Sequence, residues 1–230
     1  MQQEDDLKSQ LPRLQDISKN TYKNISRTSM NRIYSKILFA VIIGFCTVSC
    51  VKEKLETTYK KQETQIDSYL SKNNTARRDS TIIAPDGSTR DTTWTDTLSI
   101  IYNNGSARLV KTKGEGPKLS KDGAVSFYYA GYIFKGSSVS ASNLFATNHQ
   151  ETAESANFIL TDPDYSLYEV NIKDAEMLEG LKNGLIGVQA GETCEILFTA
   201  KYGYGNRTFG IIPANSALLY KIWVIGVSNE

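Results

Sequence analysis

The groups able to do covalent or metal chemistry are few. The 230-residue chain has one His, three Cys and 13 Tyr. His149 lies in ATNHQE with no second His or Cys at metal-ligand spacing, and no CxxC…CxxC pattern occurs. It reads as a solvated loop residue and not as a catalyst. Cys194, in GETCEILFTA, reads as a small buried hydrophobe on a strand and not as a reactive thiol. No metal and no cofactor is expected. The remaining resource is aromatic: 13 Tyr, 8 Phe and 2 Trp. Such side chains can wall an apolar pocket that strips water from a bound group, with Tyr hydroxyls supplying hydrogen bonds. They equally suit the core of a β-rich fold, and composition does not choose between the two. A formal net charge of +1 excludes the dominant basic field of a nucleic-acid binder.

The elements that would position these aromatics are strands. Val125 to Ile133 (VSFYYAGYI) alternates, with Val125, Phe127 and Tyr129 on one face. Thr193 to Ala200 places Cys194, Ile196 and Phe198 together. Ala217 to Val227 places Leu218, Tyr220, Ile222 and Val224 on one face, with Lys221 and Trp223 on the other. Ser99 to Tyr102 and Ala107 to Lys111 flank NNGS, a hairpin signal. Between the later strands the spacing of Met177, Leu181 and Leu185 predicts a short helix over 174–186. Gly180 and Gly184 each weaken it by roughly 1 kcal/mol, and share a face that permits close packing. The fold class expected is α+β: an antiparallel sheet packed on one short helix.

Upstream, Lys52 to Asn73 lacks Gly and Pro and carries Leu55, Tyr59, Ile66, Tyr69 and Leu70 near helical spacing, with Gln62 interrupting the stripe. Two readings are open, a spacer or partner helix and a helix leaning on the body. Residues 76–106 read as a hairpin and loop extension, with a turn at APDG, Ala84 to Gly87.

The first 49 residues differ from the rest. They hold seven of the 26 Lys/Arg and four of the 25 Asp/Glu, which leaves 19 basic and 21 acidic residues beyond them, a net −2. Ile37 to Cys46 (ILFAVIIGFC) is too short to span a bilayer, which takes about 20 residues. Basic residues precede it, and TVSC follows, ending at Cys50. That is the pattern of an export signal. A Cys directly after small residues resembles a bacterial lipoprotein signal in which Cys50 becomes the lipid-modified N-terminus, although Thr47 departs from the usual Leu. Met1 to Ser29 is polar and aperiodic and is expected to be disordered, and Met30 would start a signal of ordinary length. The organisation expected is an extension plus signal over 1–49, a helical stalk over 50–75, the hairpin extension over 76–106 and a folded domain over 107–230.

From Arg108 to Val227 four segments, in order, resemble the FKBP-type peptidyl-prolyl cis/trans isomerases. FYYAG is similar to the family's HYTG strand, MLEGLKNGL to its VI-x-G-W-x-x-G segment, KYGYG to its AYG motif, and GIIPANSALLYKI to its IPP-x-x-x-L-x-F ending. The resemblance implies a curved antiparallel sheet wrapped around one short helix, with an apolar pocket between them. It also implies rotation about X-Pro bonds, whose barrier is near 20 kcal/mol. No bond breaks in that reaction. A ~10⁴-fold acceleration asks for only about 5 kcal/mol.

Carried over by position, Tyr129, the backbone N–H of Leu178 and the hydroxyl of Tyr202 take the catalytic roles. Met177, Tyr168, Ile211, Ile212 and Tyr220 take substrate-binding positions. The family's FD pair matches Val139-Ser140 by spacing and Phe145-Ala146 by residue type. The second is preferred, so Phe145 and Ala146 join the substrate-binding set, and in either match the Asp is lost. Leu181 replaces the Trp of the pocket floor. Proline-containing segments of exported proteins are the partners implied, with a membrane engaged through a lipid on Cys50. An exported lipoprotein of this kind resembles envelope folding factors of Gram-negative (Bacteroidetes-like) bacteria, on the periplasmic face of the outer membrane or at the cell surface. The lost Asp and Trp keep a second reading open, a non-catalytic chaperone or binding module.

Overall fold

The computed structural model describes residues 53–83, 88–136, 138–158 and 164–229. Cys50, the expected export signal and the expected APDG turn lie outside them. A first helix, α1, runs over 53–73. Two strands follow, β1 (Thr75–Ile83) and β2 (Thr89–Thr97), paired only with each other as a two-stranded sheet. Seven more build the main sheet: β3 (Ser99–Asn103), β4 (Ser106–Thr112), β5 (Ala124–Phe134), β6 (Leu144–Thr147), β7 (Tyr168–Asn171), β8 (Thr193–Phe198) and β9 (Ala217–Ser228). Two short helices interrupt them, α2 (Gln150–Ser155) and α3 (Glu179–Leu185).

The strand order is β3-β4-β8-β9-β5-β6, with β7 also on β5, and every pairing is antiparallel. The expected hairpin forms, with Asn104 at φ 40° and Gly105 at φ 84°. That double left-handed turn is what Asn-Gly supplies cheaply. Through it Ser99–Asn103 joins the main sheet, which therefore begins before residue 107.

β6 and β7 share one edge of β5, at its opposite ends: β6 pairs with Ala130 to Tyr132, β7 with Ala124 to Phe127. The gap between them is closed by Asn148. Its Oδ1 accepts from Tyr129 N–H at 2.6 Å, and its Nδ2 donates to the Ser166 carbonyl at 2.9 Å. One buried amide thus replaces a strand at mid-edge.

The sheet is buried on both faces. On one, α3 packs with Phe127, Ile196, Phe198, Leu218, Tyr220 and Ile222. On the other, Ile66, Tyr69 and Leu70 of α1 pack with Leu109, Ala130, Tyr132, Leu197 and Leu219. Adjacent residues of β8 and β9 therefore both sit in core, which explains runs such as ILF and ALLY that are apolar without interruption. Of the two readings of the first helix, leaning on the body is the one seen. Gln62, which seemed to break its stripe, is buried as well.

α3 is shorter than its spacing suggested. Leu178 has extended backbone (φ −56°, ψ 134°) and precedes the helix, so 174–178 stays outside it. Met177 and Leu178 pack instead against the core from that extended segment. The two glycines do give close approach. A Cβ on Gly180 would lie 2.2 Å from the Phe198 ring, and one on Gly184 2.2 Å from Ile196 Cγ2. Alanine at either position regains about 1 kcal/mol of helix propensity. The overpacking it causes costs about 1–3 kcal/mol or more and dominates. The urea midpoint of Gly184→Ala is therefore expected to fall, and a rise would show that α3 can shift off the sheet.

Candidate functional site

Between α3 and the sheet lies an open, mainly apolar cavity of about 940 Å³. Each wall comes from a different element. β5 contributes Phe127 and Tyr129, β6 contributes Phe145 and Ala146, and β7 contributes Tyr168. The segment entering α3 contributes Met177 and Leu178, and α3 itself Leu181. β9 contributes Tyr220, and the loop before β9 contributes Ile211 and Ile212.

The aromatic walls hold one another. Tyr220 lies 5.7 Å from Phe145 edge-to-face, 6.2 Å from Tyr129, and stacks on Phe198 at 5.9 Å. Tyr168 meets Phe127 edge-to-face at 5.3 Å and Tyr129 at 6.2 Å. Such contacts fix ring orientation beyond what area burial supplies. Gly131 is where Phe145 and Tyr220 close over the strand, since a Cβ there would fall 2.6 Å from the Phe145 ring.

The hydroxyls are kept as donors. Burial raises the Tyr129 hydroxyl above the ordinary tyrosine value, and nearby Tyr168, Asp164 and Tyr204 add to the rise. Burial likewise pushes Tyr204 up and Tyr220 far up. All three therefore stay protonated at neutral pH, able to donate to a carbonyl. Asp164 is anchored by the Ser166 N–H at 2.9 Å and by the Ser166 hydroxyl, which hold its carboxyl below the usual carboxylate range.

The structure separates Tyr202 from the other expected site residues, which all line the cavity. Tyr202 packs against the β3–β4 turn, where a Cβ on Gly105 would fall 2.1 Å from its ring. Tyr204, the second Tyr of KYGYG, lines the cavity in its place and stacks on Phe209 at 4.4 Å. Phe145 and Ala146 line the wall, whereas Val139 packs in the opposite core cluster.

Wall residues outside the expected set include Phe158, just after α2, Glu176 and Phe209. Phe209 could have been suspected, as an aromatic beside Gly210 in a loop that must face solvent. His149 is not simply solvated. Its ring stacks on Trp223 at 4.0 Å and its Nδ1 sits 2.9 Å from Thr152 Oγ1, outside the set lining the cavity.

With this geometry in hand, residues 116–225 match the family described as FKBP-type peptidyl-prolyl cis-trans isomerase. The chain carries an FKBP-type domain. Curated relatives agree. FK506-binding protein 1 of Aspergillus oryzae is 27% identical over 124 residues, covering 54% of this chain and 99% of its own. FK506-binding protein 1A of Neurospora crassa is 27% identical over 122 residues, 52% of this chain and 86% of that one. Among solved structures, the N-terminal domain of FKBP42 from Arabidopsis thaliana is similar with TM-score 0.45 and 18% identity, covering 57% of this chain and 93% of its own. A peptidyl-prolyl cis-trans isomerase from Pseudomonas syringae gives TM-score 0.44 and 18% identity over 76% and 96%. The FKBP-type domain begins after β4, so α1, the β1–β2 hairpin and the β3–β4 hairpin precede the matched segment.

Proposed function

We propose that the protein is a peptidyl-prolyl cis/trans isomerase acting on proline-containing segments of exported proteins. The observation that carries this reading is the aromatic cavity, into which Tyr129, Tyr168 and Tyr220 converge beside Leu178. Catalysis here is the removal of water from an imide and preference for its twisted form. An apolar pocket weakens amide resonance by withdrawing solvation from the polar planar state. The Tyr129 and Tyr204 hydroxyls and the Leu178 N–H are the donors available to hold the substrate carbonyls. Tyr204 takes the role first given to Tyr202.

The proposal extends to location. Cys50 would carry a lipid and tether the chain to the cell envelope, on the periplasmic face of an outer membrane or at the surface, with α1 between the anchor and the domain. The support is the apolar run Ile37 to Cys46 followed by TVSC. Metabolic labelling with a fatty acid tests it. Label lost in Cys50→Ala supports the anchor, and label absent from the parent protein removes it.

The decisive experiment for activity is a protease-coupled isomerisation rate on a Leu-Pro peptide. Acceleration supports the enzyme. A flat rate sinks it and favours the second reading, a non-catalytic binding module, which rests on Ala146 and Leu181 standing where the resemblance places Asp and Trp. Leu181 is on the cavity wall and 8% exposed. The double change Leu181→Trp, Ala146→Asp is expected to raise kcat/KM about tenfold, equivalent to about 1.4 kcal/mol of transition-state binding. An unchanged or reduced rate would mean that the cavity no longer accepts the family's floor.

A further inference from the structure

Five of the sixteen residues lining the cavity sit on a loop whose root is closed by a residue of α1. The loop leaves β8 at Ala200 and rejoins β9 after Asn215, and it carries Tyr204, Phe209, Ile211 and Ile212. Its root is a closed ring of four hydrogen bonds. Ala200 N–H donates to Gln62 Oε1 at 2.9 Å. Gly205 N–H donates to the Ala200 carbonyl at 2.8 Å, and Asn215 N–H to the Gly205 carbonyl at 2.8 Å. Gln62 Nε2 donates to the Asn215 carbonyl at 2.7 Å and completes the ring.

Both ends of the loop therefore meet on one side-chain amide. A primary amide suits this place because it offers a donor and an acceptor on one rigid plane. Gln62 is 8% exposed and Ala200 fully buried, so water cannot readily take over either bond. Further out, Phe209 and Ile212 exchange backbone hydrogen bonds at 2.9 Å each, which passes the set of the root to the tip.

We propose that Gln62 is a positioning residue of the isomerase site, through which α1 sets the wall loop that carries Tyr204. Gln62 is not among the residues lining the cavity, and its side-chain amide bonds to Ala200 and Asn215. The inference rests on the isomerase reading for its kinetic arm and stands apart from it in its structural arm.

The test compares Gln62→Leu with Tyr69→Phe in the full chain. Tyr69→Phe removes a different α1 hydrogen bond, Tyr69 hydroxyl to Glu195 Oε2 at 3.0 Å, on the same helix face. In hydrogen exchange, Gln62→Leu is expected to speed exchange at Gly205, Ile212 and Asn215 at least tenfold while β8–β9 ladder amides keep their protection. Tyr69→Phe should leave the loop amides unchanged. In kinetics, Gln62→Leu should raise KM about tenfold with kcat within about twofold, since a loosened wall weakens substrate binding. Tyr69→Phe should match the parent protein. Unchanged loop exchange in Gln62→Leu, or equal effects of the two variants, overturns the proposal. If the parent protein shows no isomerisation, the functional reading fails while the exchange result still decides the role of Gln62.

Discussion

Replacing Arg108 by Ala is expected to lower folding stability by about 3–5 kcal/mol, the range for breaking one side of a buried ion pair. Arg108 is 3% exposed. Its Nη1 donates to the carbonyls of Gly184 and Ile186 at 2.8 and 2.9 Å, at the C-terminal end of α3. Those carbonyls have no further helical turn to bond to, and a cation suits that end of a helix. Its Nε lies 3.2 Å from Glu192 Oε1, a close ion pair without hydrogen-bond alignment. Removing the guanidinium takes the nearest cation from a buried carboxylate and a donor from two carbonyls at once.

The loss should depend on pH in a definite direction. Burial holds the Glu192 carboxyl above the ordinary glutamate value, while Arg108 and Lys118 pull it down. Without Arg108 it rises further. A carboxyl whose pKa is raised by folding binds its proton more tightly in the native state. Its contribution to stability is complete below the unfolded pKa and is lost as pH rises through the folded one. The deficit of Arg108→Ala is therefore largest at neutral pH and narrows as the solution is acidified toward the ordinary glutamate range. Urea midpoints of both proteins at pH 7.5 and pH 5 check it, and a deficit constant across that range would exonerate Glu192.

The second large effect is expected at Tyr220. Tyr220→Ala should cost about 3–5 kcal/mol of stability. It should also lower kcat/KM about a hundredfold, equivalent to about 2.7 kcal/mol of transition-state binding. Three rings lean on this one: the wall residues Tyr129 and Phe145 and the core residue Phe198. Removing it lets Phe145 and Tyr129 collapse inward, so the cavity loses shape as well as area. Tyr220→Phe keeps every ring contact and should stay within about threefold of the parent rate. Thermal melts and the protease-coupled assay measure both. If Tyr220→Ala melts normally and still turns over, the cavity does not depend on this wall.

What could be read beforehand was local. β5, β8, β9 and the NNGS hairpin follow from apolar spacing and one turn dipeptide, which are properties of neighbouring residues. The close approach of α3 followed from Gly180 and Gly184, because a missing Cβ has one strong use at that spacing. What could not be read depended on distant partners. Tyr202 and Tyr204 carry the same tyrosine-glycine signal two residues apart. Only the one-turn helix at Ala200–Tyr202 decides which ring turns to the β3–β4 turn and which to the cavity. The helix over 174–186 was drawn too long because periodicity does not register that Met177 and Leu178 pack better from extended backbone. Gln62 looked like a flaw in an apolar stripe. Its partners, Ala200 and Asn215, stand 138 and 153 residues away.

That separation has a consequence for the order of events as the chain is made. Synthesis is N-terminal first, and α1 emerges before the strands it packs on. Its partners Leu109, Ala130 and Tyr132 follow first, and Leu197, Asn215 and Leu219 only later. Closing so long a loop gives nothing back until both ends are present. Ile66, Tyr69 and Leu70 thus travel with their apolar stripe only partly covered until β9 is made, and α1 cannot finish docking before then. A chain built this way leaves part of its own core open to water while it is being made.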